Sequence, residues 1–428
     1  MKIGVVADDV TGANDIGSMF AKAGYRVHVY RSDSFDPSSL ESEQPDVCII
    51  DTNSRLDSPD VAYRKVFAAT QQLQQAGCRQ FFNKTCSVFR GNIGAEFDAM
   101  LDLLQESFAI VVLGFPKNGR LTLDGIHYVH GQPLAESPFR HDPIHPMLRS
   151  NVVEILQAQT QRTVGLVDHG VIAQGADALK TCVQQMRERC HYLILDVADQ
   201  AALYTIAQAV GDHPVLCGSS ALAEELPAVW GALPPAEGYA ELPQFGSASL
   251  LCAAGSLTPQ TLAQIEHMRA MGTPVVEVNT LHLFSEEQRQ TEIAQVVSRL
   301  VQLSADGAHP LVHASNRPEV VAQTRATGER HGLPTTEVAR RVEETLAEIV
   351  ACTLQRTGGR RLLVAGGETS AAICRRLGVG GLRIWREIQP GLPSCVSLTE
   401  PPLLLVLKSG SFGTADFLEQ AFEHLVLG

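Results

Sequence analysis

Read as apolar and polar positions, the chain alternates short apolar runs with longer amphipathic stretches almost throughout. In the first half, KIGVVA (2–7), DVCIID (46–51), QFFNK (80–84), AIVVLG (109–114), TVGLV (163–167) and YLILDV (192–197) have strand length and β-branched character. Segments such as AEFDAMLDLLQES and QAALYTIAQAV carry helical spacing between them. Apolar runs without strict alternation mark strands buried on both faces, and strand–helix alternation connects parallel strands. The pattern lapses near 228–247, where AVWGALPPAEGYAELPQFGS is rich in Pro and Gly. It resumes in SLLCAAGSLTPQTLAQIEHMRAMG, HPLVHAS, RRLLVAGGETSAAICRRLG and PLLLVLKSGSFGTADFLEQAFEHL. The expected architecture is α/β with two domains, each a mostly parallel sheet flanked by helices, and an interdomain cleft. Residues 1–230 form the first domain, 231–247 a linker and 248–428 the second.

Length agrees with that division, since 428 residues exceed what one core usually serves. Charge narrows the partners: 34 basic against 47 acidic residues give a formal net charge of −13. A nucleic-acid surface needs a basic footprint, which this balance argues against. A local basic pocket for a small anion is still allowed. Ten cysteines are scattered without a CxxC pair, several inside apolar runs, as buried thiols of a reducing compartment would be. No signal-like h-region precedes the first strand pattern, and no apolar stretch approaches membrane length. A cytoplasmic protein without a membrane partner is the expectation. Oligomeric state is not legible in the pattern, a homodimer being one option.

Three turns of the second half share one grammar. LLCAA meets Gly255-Ser256, RLLVA meets Gly366-Gly367-Glu368-Thr369, and LLLVLK meets Ser409-Gly410-Ser411-Phe412-Gly413. In a parallel sheet such turns lie at one edge, where backbone N–H groups at helix starts attract phosphate. Lys408 is placed to add a positive charge. Ordinary strand-to-helix turn chemistry explains any one of them, and neither a P-loop nor a GxGxxG accompanies them.

The turns of the first half carry side-chain chemistry instead. Asp8 and Asp9 follow the first strand, with Thr11 as the expected N-cap. Like charges that close need a compensating cation, metal or substrate hydroxyl. Asn53 and Arg55 follow the second strand candidate, Lys84, Thr85, Ser87 and Arg90 the third, and GFPKNGR (114–120) the fourth. Cations to grip a carboxylate, with Asp and Asn for hydroxyls, suit a small polyhydroxylated acid. Each also has a structural reading, as helix cap or surface ion pair. His141, Asp142 and His145 have metal-like spacing, but two prolines make a rigid loop the better reading, and no metal site is expected there.

With these residues in hand, the sequence resembles the four-carbon acid sugar kinases. ADDVTGAND is similar to that family's opening ADDLTGA signature, and NKTCSVFRGNIGAE to its second, K-x-DSTLRGN-IGAE. GGETS and LKSGSFGTADF resemble its nucleotide-binding signatures. The resemblance implies a sugar-acid-binding first domain, a nucleotide-binding second domain, and transfer of phosphate from ATP with Mg²⁺. It places substrate contacts on Asp9, Arg55 and the Lys84–Ser87 region, with Asn53 and Arg90 beside them. It places ATP contacts on Ser256, Gly366, Gly367, Glu368, Thr369 and Gly410, with Lys408 adjacent. Cys86 stands where many members have Asp, and Val88 where they have Thr. D-threonate, giving 4-phospho-D-threonate, is the expected acceptor, with D-erythronate and 3-oxo-tetronate as alternatives. Asp9, then Asp8, is the expected base or orienter for the attacking hydroxyl.

Other classes fare worse. A haloacid-dehalogenase-type phosphatase wants D-x-D-x-T, but Val10 stands two beyond Asp8, and Thr11 and Ala13 break the register from Asp9. A dinucleotide oxidoreductase wants glycines where this chain puts two anions. A sugar-acid-binding protein without turnover would not need the phosphate-type turns.

Overall fold

The computed structural model describes residues 2–37, 45–142, 144–231, 242–245 and 249–427. The chain divides into two compact units, Met1–Tyr239 and Ala240–Gly428. The linker expected at 231–247 lies for the most part outside the described residues.

The first unit is built on a parallel sheet. Its strands are β1 (Ile3–Ala7), β2 (Val27–Arg31), β3 (Val47–Asp51), β4 (Gln80–Lys84), β5 (Ala109–Val112), β9 (Val164–Val167), β10 (Tyr192–Leu195) and β11 (Val215–Gly218). They pair in the order β2-β3-β1-β4-β11-β5-β10-β9. Between β5 and β9 the chain adds a small antiparallel sheet of β6 (Arg120–Leu123), β7 (Ile126–Val129) and β8 (Gln132–Pro133). Helices α1 (Val10–Lys22), α2 (Pro59–Gln75), α3 (Ile93–Leu104), α4 (Val152–Gln157), α5 (His169–Ile172), α6 (Ala176–Met186), α7 (Gln200–Val210) and α8 (Ala221–Trp230) connect these strands. Every residue of β1, β3 and β4 is buried, which is why their sequences do not alternate. Phe97 on α3 packs with Phe89, Tyr192 and Ile194 in the core, each such side chain contributing about 1.5–3 kcal/mol by burial.

The second unit has β12 (Leu250–Ala254), β13 (Val275–Val278), β14 (Leu311–Ala314), β15 (Arg361–Ala365), β16 (Gly381–Gln389), β17 (Leu392–Ser397) and β18 (Leu404–Lys408). Their order is β13-β14-β12-β15-β18-β17-β16. The first five are parallel, whereas β17 and β16 join antiparallel at the edge. Helices α9 (Pro259–Ala270), α10 (Glu286–Ala305), α11 (Pro318–Arg330), α12 (Thr335–Thr357), α13 (Gly367–Arg376) and α14 (Phe417–Leu427) complete it. Ile265, Met268, Phe417 and Leu418 close over Leu250, Cys252, Leu363 and Val406. All ten cysteines are free thiols. No helix among the described residues is long and apolar enough to cross a membrane.

Candidate active site

In the first unit, the carboxyl ends of β3, β1, β4 and β11 are level. Ala7 pairs with Asp51 on one side and Lys84 on the other, and Lys84 pairs with Gly218. β2 and β3 lie to one side of β1 and β4 to the other, so the strand order reverses between β1 and β4. Open parallel sheets bind ligands beyond the strand ends at such a reversal. Asp8 and Asp9 leave β1 at that point, and Lys84 ends β4.

Both aspartates are buried, and Arg55 compensates them. Its Nε and Nη2 donate to Asp8 at 2.7 and 2.8 Å, and its Nη1 donates to Asp9 Oδ2 at 2.5 Å. Asp9 also caps α1, its Oδ1 accepting from the Gly12 N–H at 2.7 Å. Thr11, the expected cap, lies inside the helix and donates its hydroxyl to Asp9 Oδ2 at 3.0 Å. The extended backbone of Asp9 (φ −152°, ψ 159°) aims its carboxylate at the helix start, which residue 11 can no longer do. Gly12 is required here, because a Cβ would sit 2.6 Å from Asp9 Oδ1 and 3.0 Å from Lys84 Nζ. Burial pushes the Asp9 carboxyl up, but the charges of Arg55 and Lys84 and the bonds from Gly12 and Thr11 outweigh it, for a net shift down. Arg55 spends three of its N–H groups on these anions; a guanidinium has five, so two are left for a ligand.

The turn after β4 supplies the remaining cations. Lys84 Nζ donates to the Thr85 carbonyl at 3.1 Å and lies 3.8 Å from Asp15 Oδ2. That oxygen also accepts from Ser220 Oγ at 2.6 Å. Thr85 Oγ1 and the amide of Asn14 are buried with no hydrogen-bond partner, a state that a ligand or water relieves. Cys86 is buried, and Arg90 Nε donates to its sulfur at 3.4 Å. Burial pushes that thiol up, but the charges of Arg90 and Arg55 more than reverse the shift. Arg120, buried at the start of β6, is electrostatically coupled to Cys86, Arg90 and Asp15, and burial pushes its pKa down. Ser87 is buried on the same turn, and Asn53 takes a left-handed backbone (φ 45°) beside Arg55.

The His141–His145 segment serves these arginines. Asp142 accepts from Arg90 Nη1 at 2.8 Å and from the N–H groups of Ile144 and His145 at 3.0 and 2.8 Å. His145 Nε2 reaches the Arg55 carbonyl at 2.9 Å. A different trio, Asp124, His169 and Asp196, has its ligand atoms within 4.8 Å of one another. The buried Asp196 already accepts three backbone N–H groups, from Asp124, Gly125 and His169, so its position is explained without a metal.

The second unit uses backbone where the first uses side chains. Ala254 pairs with Ala365, and Ala365 with Lys408, so the three glycine-bearing turns lie side by side. A Cβ on Gly410 would sit 2.2 Å from Ser256 Oγ, so any side chain there would force Ser256 to move. Thr258 and Thr261 donate their hydroxyls to the Gly410 carbonyl at 2.6 and 2.9 Å. Helix α13 starts after Gly366 without a side-chain cap, which leaves its N-terminus suited to an anion. Lys408, placed by sequence to add a positive charge at the turn, points inward. It is wholly buried, and Nζ donates to Thr261 Oγ1, Ser409 O and Gly410 O at 3.0, 2.8 and 3.2 Å. Burial pushes it down to about 7, against three acceptors that call for the full ammonium. Glu368 raises its neighbour Glu343, which burial and that charge push up to about 8.

Asp15, Arg120 and Asp142 were missed as parts of this site by sequence reasoning. The first two stand inside stretches singled out above, ADDVTGAND and GFPKNGR, and only the fold shows which way they work.

Comparisons with known proteins give the family. Residues 3–226 match the family model of a sugar-binding N-terminal domain, and residues 251–418 that of a nucleotide-binding C-terminal domain. The chain belongs to the four-carbon acid sugar kinase family. Membership makes it a phosphotransferase whose acceptor is an alcohol group. Among curated relatives, a 3-oxo-tetronate kinase of Pseudomonas savastanoi pv. phaseolicola is 35% identical, with 99% of this chain and 97% of that one covered. Another of that name, from Haemophilus influenzae, is 30% identical over 98% of each chain. A solved Salmonella typhimurium protein described as a putative tRNA synthase superposes with TM-score 0.83 at 28% identity, covering 99% of both chains. A Haemophilus influenzae structure gives 0.74 at 29%, covering 99% of this chain and all of that one.

Proposed function

We propose that this kinase transfers the γ-phosphoryl group of ATP to a hydroxyl of 3-oxo-tetronate. The reading is carried by the near-complete alignment with relatives of that name. Chemistry at Cys86 supports it. A thiol replaces the carboxylate of many family members, removing a strong acceptor for a C3 hydroxyl, while a C3 ketone asks only for donors. Arg90 donates to that sulfur, and the charges of Arg55 and Arg120 reach it. D-threonate, the expectation from sequence, becomes the comparison substrate.

In this reading the first unit holds the acid and the second holds the nucleotide. Arg90 and the spare N–H groups of Arg55 take the substrate carboxylate, and Asn53, Thr85 and Ser87 take its oxygens. Asp9 orients the attacking hydroxyl. Its lowered pKa makes it a poor proton store, which a loose phosphoryl-transfer transition state tolerates, because the acceptor keeps its proton until late. Asp8 fixes the Arg55 fork. The uncapped start of α13 and the turns at Ser256 and Gly410 hold phosphates. Glu368 stands in the first turn of α13, close enough to Glu343 for its charge to act there, and these two carboxylates are the groups that would hold Mg²⁺. That ion would neutralise charge on the phosphates.

The test is ADP formation in a coupled assay with 3-oxo-tetronate, D-threonate and D-erythronate. A kcat/KM at least about tenfold higher for 3-oxo-tetronate is expected, corresponding to about 1.4 kcal/mol of discrimination. Preference for either hydroxy acid would replace the substrate, and no turnover of any C4 acid would remove the reading altogether.

A further inference from the structure

A count of hydrogens at the end of β1 bears on the protonation state of a buried carboxyl that the mechanism above does not use. Three contacts run in series. Thr52 Oγ1 meets the Ala7 carbonyl at 2.9 Å, Ser54 Oγ meets Thr52 Oγ1 at 2.8 Å, and Glu96 Oε1 meets Ser54 Oγ at 2.7 Å. A carbonyl oxygen only accepts, so Thr52 gives its one hydrogen to Ala7. Ser54 must then give its one hydrogen to Thr52. None remains for the contact with Glu96. The third hydrogen has to come from the carboxyl.

We propose that Glu96 is held as the neutral acid and is a positioning residue, whose O–H begins a one-way hydroxyl chain that docks the Thr52–Arg55 loop on the end of β1. The inference rests on the reading that Asp8, Asp9 and Arg55 form the acceptor site. The loop it docks is the one that delivers Arg55 to both aspartates. The same loop donates the N–H groups of Thr52 to Ala7 O at 2.9 Å, and of Ser54 and Arg55 to Asp8 O at 3.0 and 3.3 Å. Asn92, just before α3, adds its amide to the carbonyls of Ser54 and Asp57 at 3.1 and 2.8 Å.

The surroundings favour the same protonation state. Glu96 is 1% exposed. The charged groups that act on it are Asp8 from the end of β1, and Arg55 and Asp57 from the loop. Burial and then Asp8 push the carboxyl up, the hydrogen that Ser54 could turn to the ionised form and the charge of Arg55 push it down, and Asp57 adds to the rise, leaving it at about 8. Loss of the proton would place a third anion beside Asp8 and force Ser54 to turn its hydrogen back towards Glu96, cutting the link to Thr52. For a raised carboxyl, stability conferred by the bound proton is full below the unfolded value near 4.5 and is lost as pH rises through about 8.

Glu96→Gln keeps a donor at the head of the chain and cannot ionise, whereas Glu96→Ala removes the donor. Kinase assays and thermal melts of the intact protein, from about two pH units below to two above about 8, separate the possibilities. The expected result is that E96Q stays within about threefold of wild type at neutral pH, and shows a smaller fall of kcat and Tm on the alkaline side than wild type, the remainder coming from Glu343. E96A should lose about tenfold or more in kcat throughout. An E96Q as impaired as E96A at neutral pH, or one whose alkaline fall is as large as that of wild type, would overturn the proposal. Should the wild type turn over no C4 acid, the melts still decide it. So does infrared difference spectroscopy, in which the neutral-carboxyl band that vanishes across the same pH range must be weaker in E96Q than in wild type, with Glu343 supplying what remains.

Discussion

The two ligand-facing edges solve the same problem with opposite materials. In the first unit, Asp8, Asp9, Arg55, Lys84, Arg90 and Arg120 interlock as charged side chains around a strand-order reversal. In the second, Gly255, Gly366 and Gly410 bring three turns into contact, and the polar surface is largely backbone and hydroxyl. Side chains can be exchanged one at a time, so the first edge can tell one small acid from another. Backbone N–H groups cannot be exchanged, so the second edge suits a ligand that never changes. Specificity and constancy are housed separately.

The sharpest way to break the comparison is Arg55→Ala. It leaves two buried carboxylates without their cation, a loss of about 3–5 kcal/mol, and activity should vanish; denaturant melts and ADP assays check both. Asp9→Asn comes next. Asparagine still caps α1, so the fold should hold, while kcat falls by about 10²-fold or more and ATP affinity stays within about threefold. Because Asp9 is shifted down, the stability it adds is present above its unfolded value of 3.8 and lost as pH falls below it. Wild type and Asp9→Asn should therefore converge in Tm in acid. Gly410→Ala should act only on the other edge. Overpacking against Ser256 costs about 1–3 kcal/mol, which should raise the KM for ATP by about tenfold or more and leave that for the acid unchanged. Cys86→Asp should be mildest, shifting the ratio of kcat/KM between 3-oxo-tetronate and D-threonate towards the hydroxy acid by about tenfold or less.

The sequence made the parallel strands legible because burial on both faces leaves an unbroken apolar run, as in IGVVA and RLLVA. It hid β2 and β11, whose VHVYR and VLCG are short or interrupted by polar residues that only tertiary contacts bury. It hid the antiparallel β16–β17 pair too, since GLRIWREIQ mixes charge with apolar residues at a half-covered edge. Residue types at strand ends singled out Asp8, Asp9, Arg55 and Lys84, which the fold brings together. Pairing was another matter. That Arg55 serves both aspartates, that Asp142 holds Arg90 across 52 positions, and that Lys408 turns inward depend on distances no linear pattern carries.

Lys408 has a consequence for how the second unit meets its ligand. With one ammonium tied to Thr261, Ser409 and Gly410 from beneath, the turn's curvature is set during folding rather than on arrival of an anion. A mould of that kind loses little freedom when filled. Binding there should draw its strength from the anion's charge and fit, with scarcely any rearrangement of the chain around it.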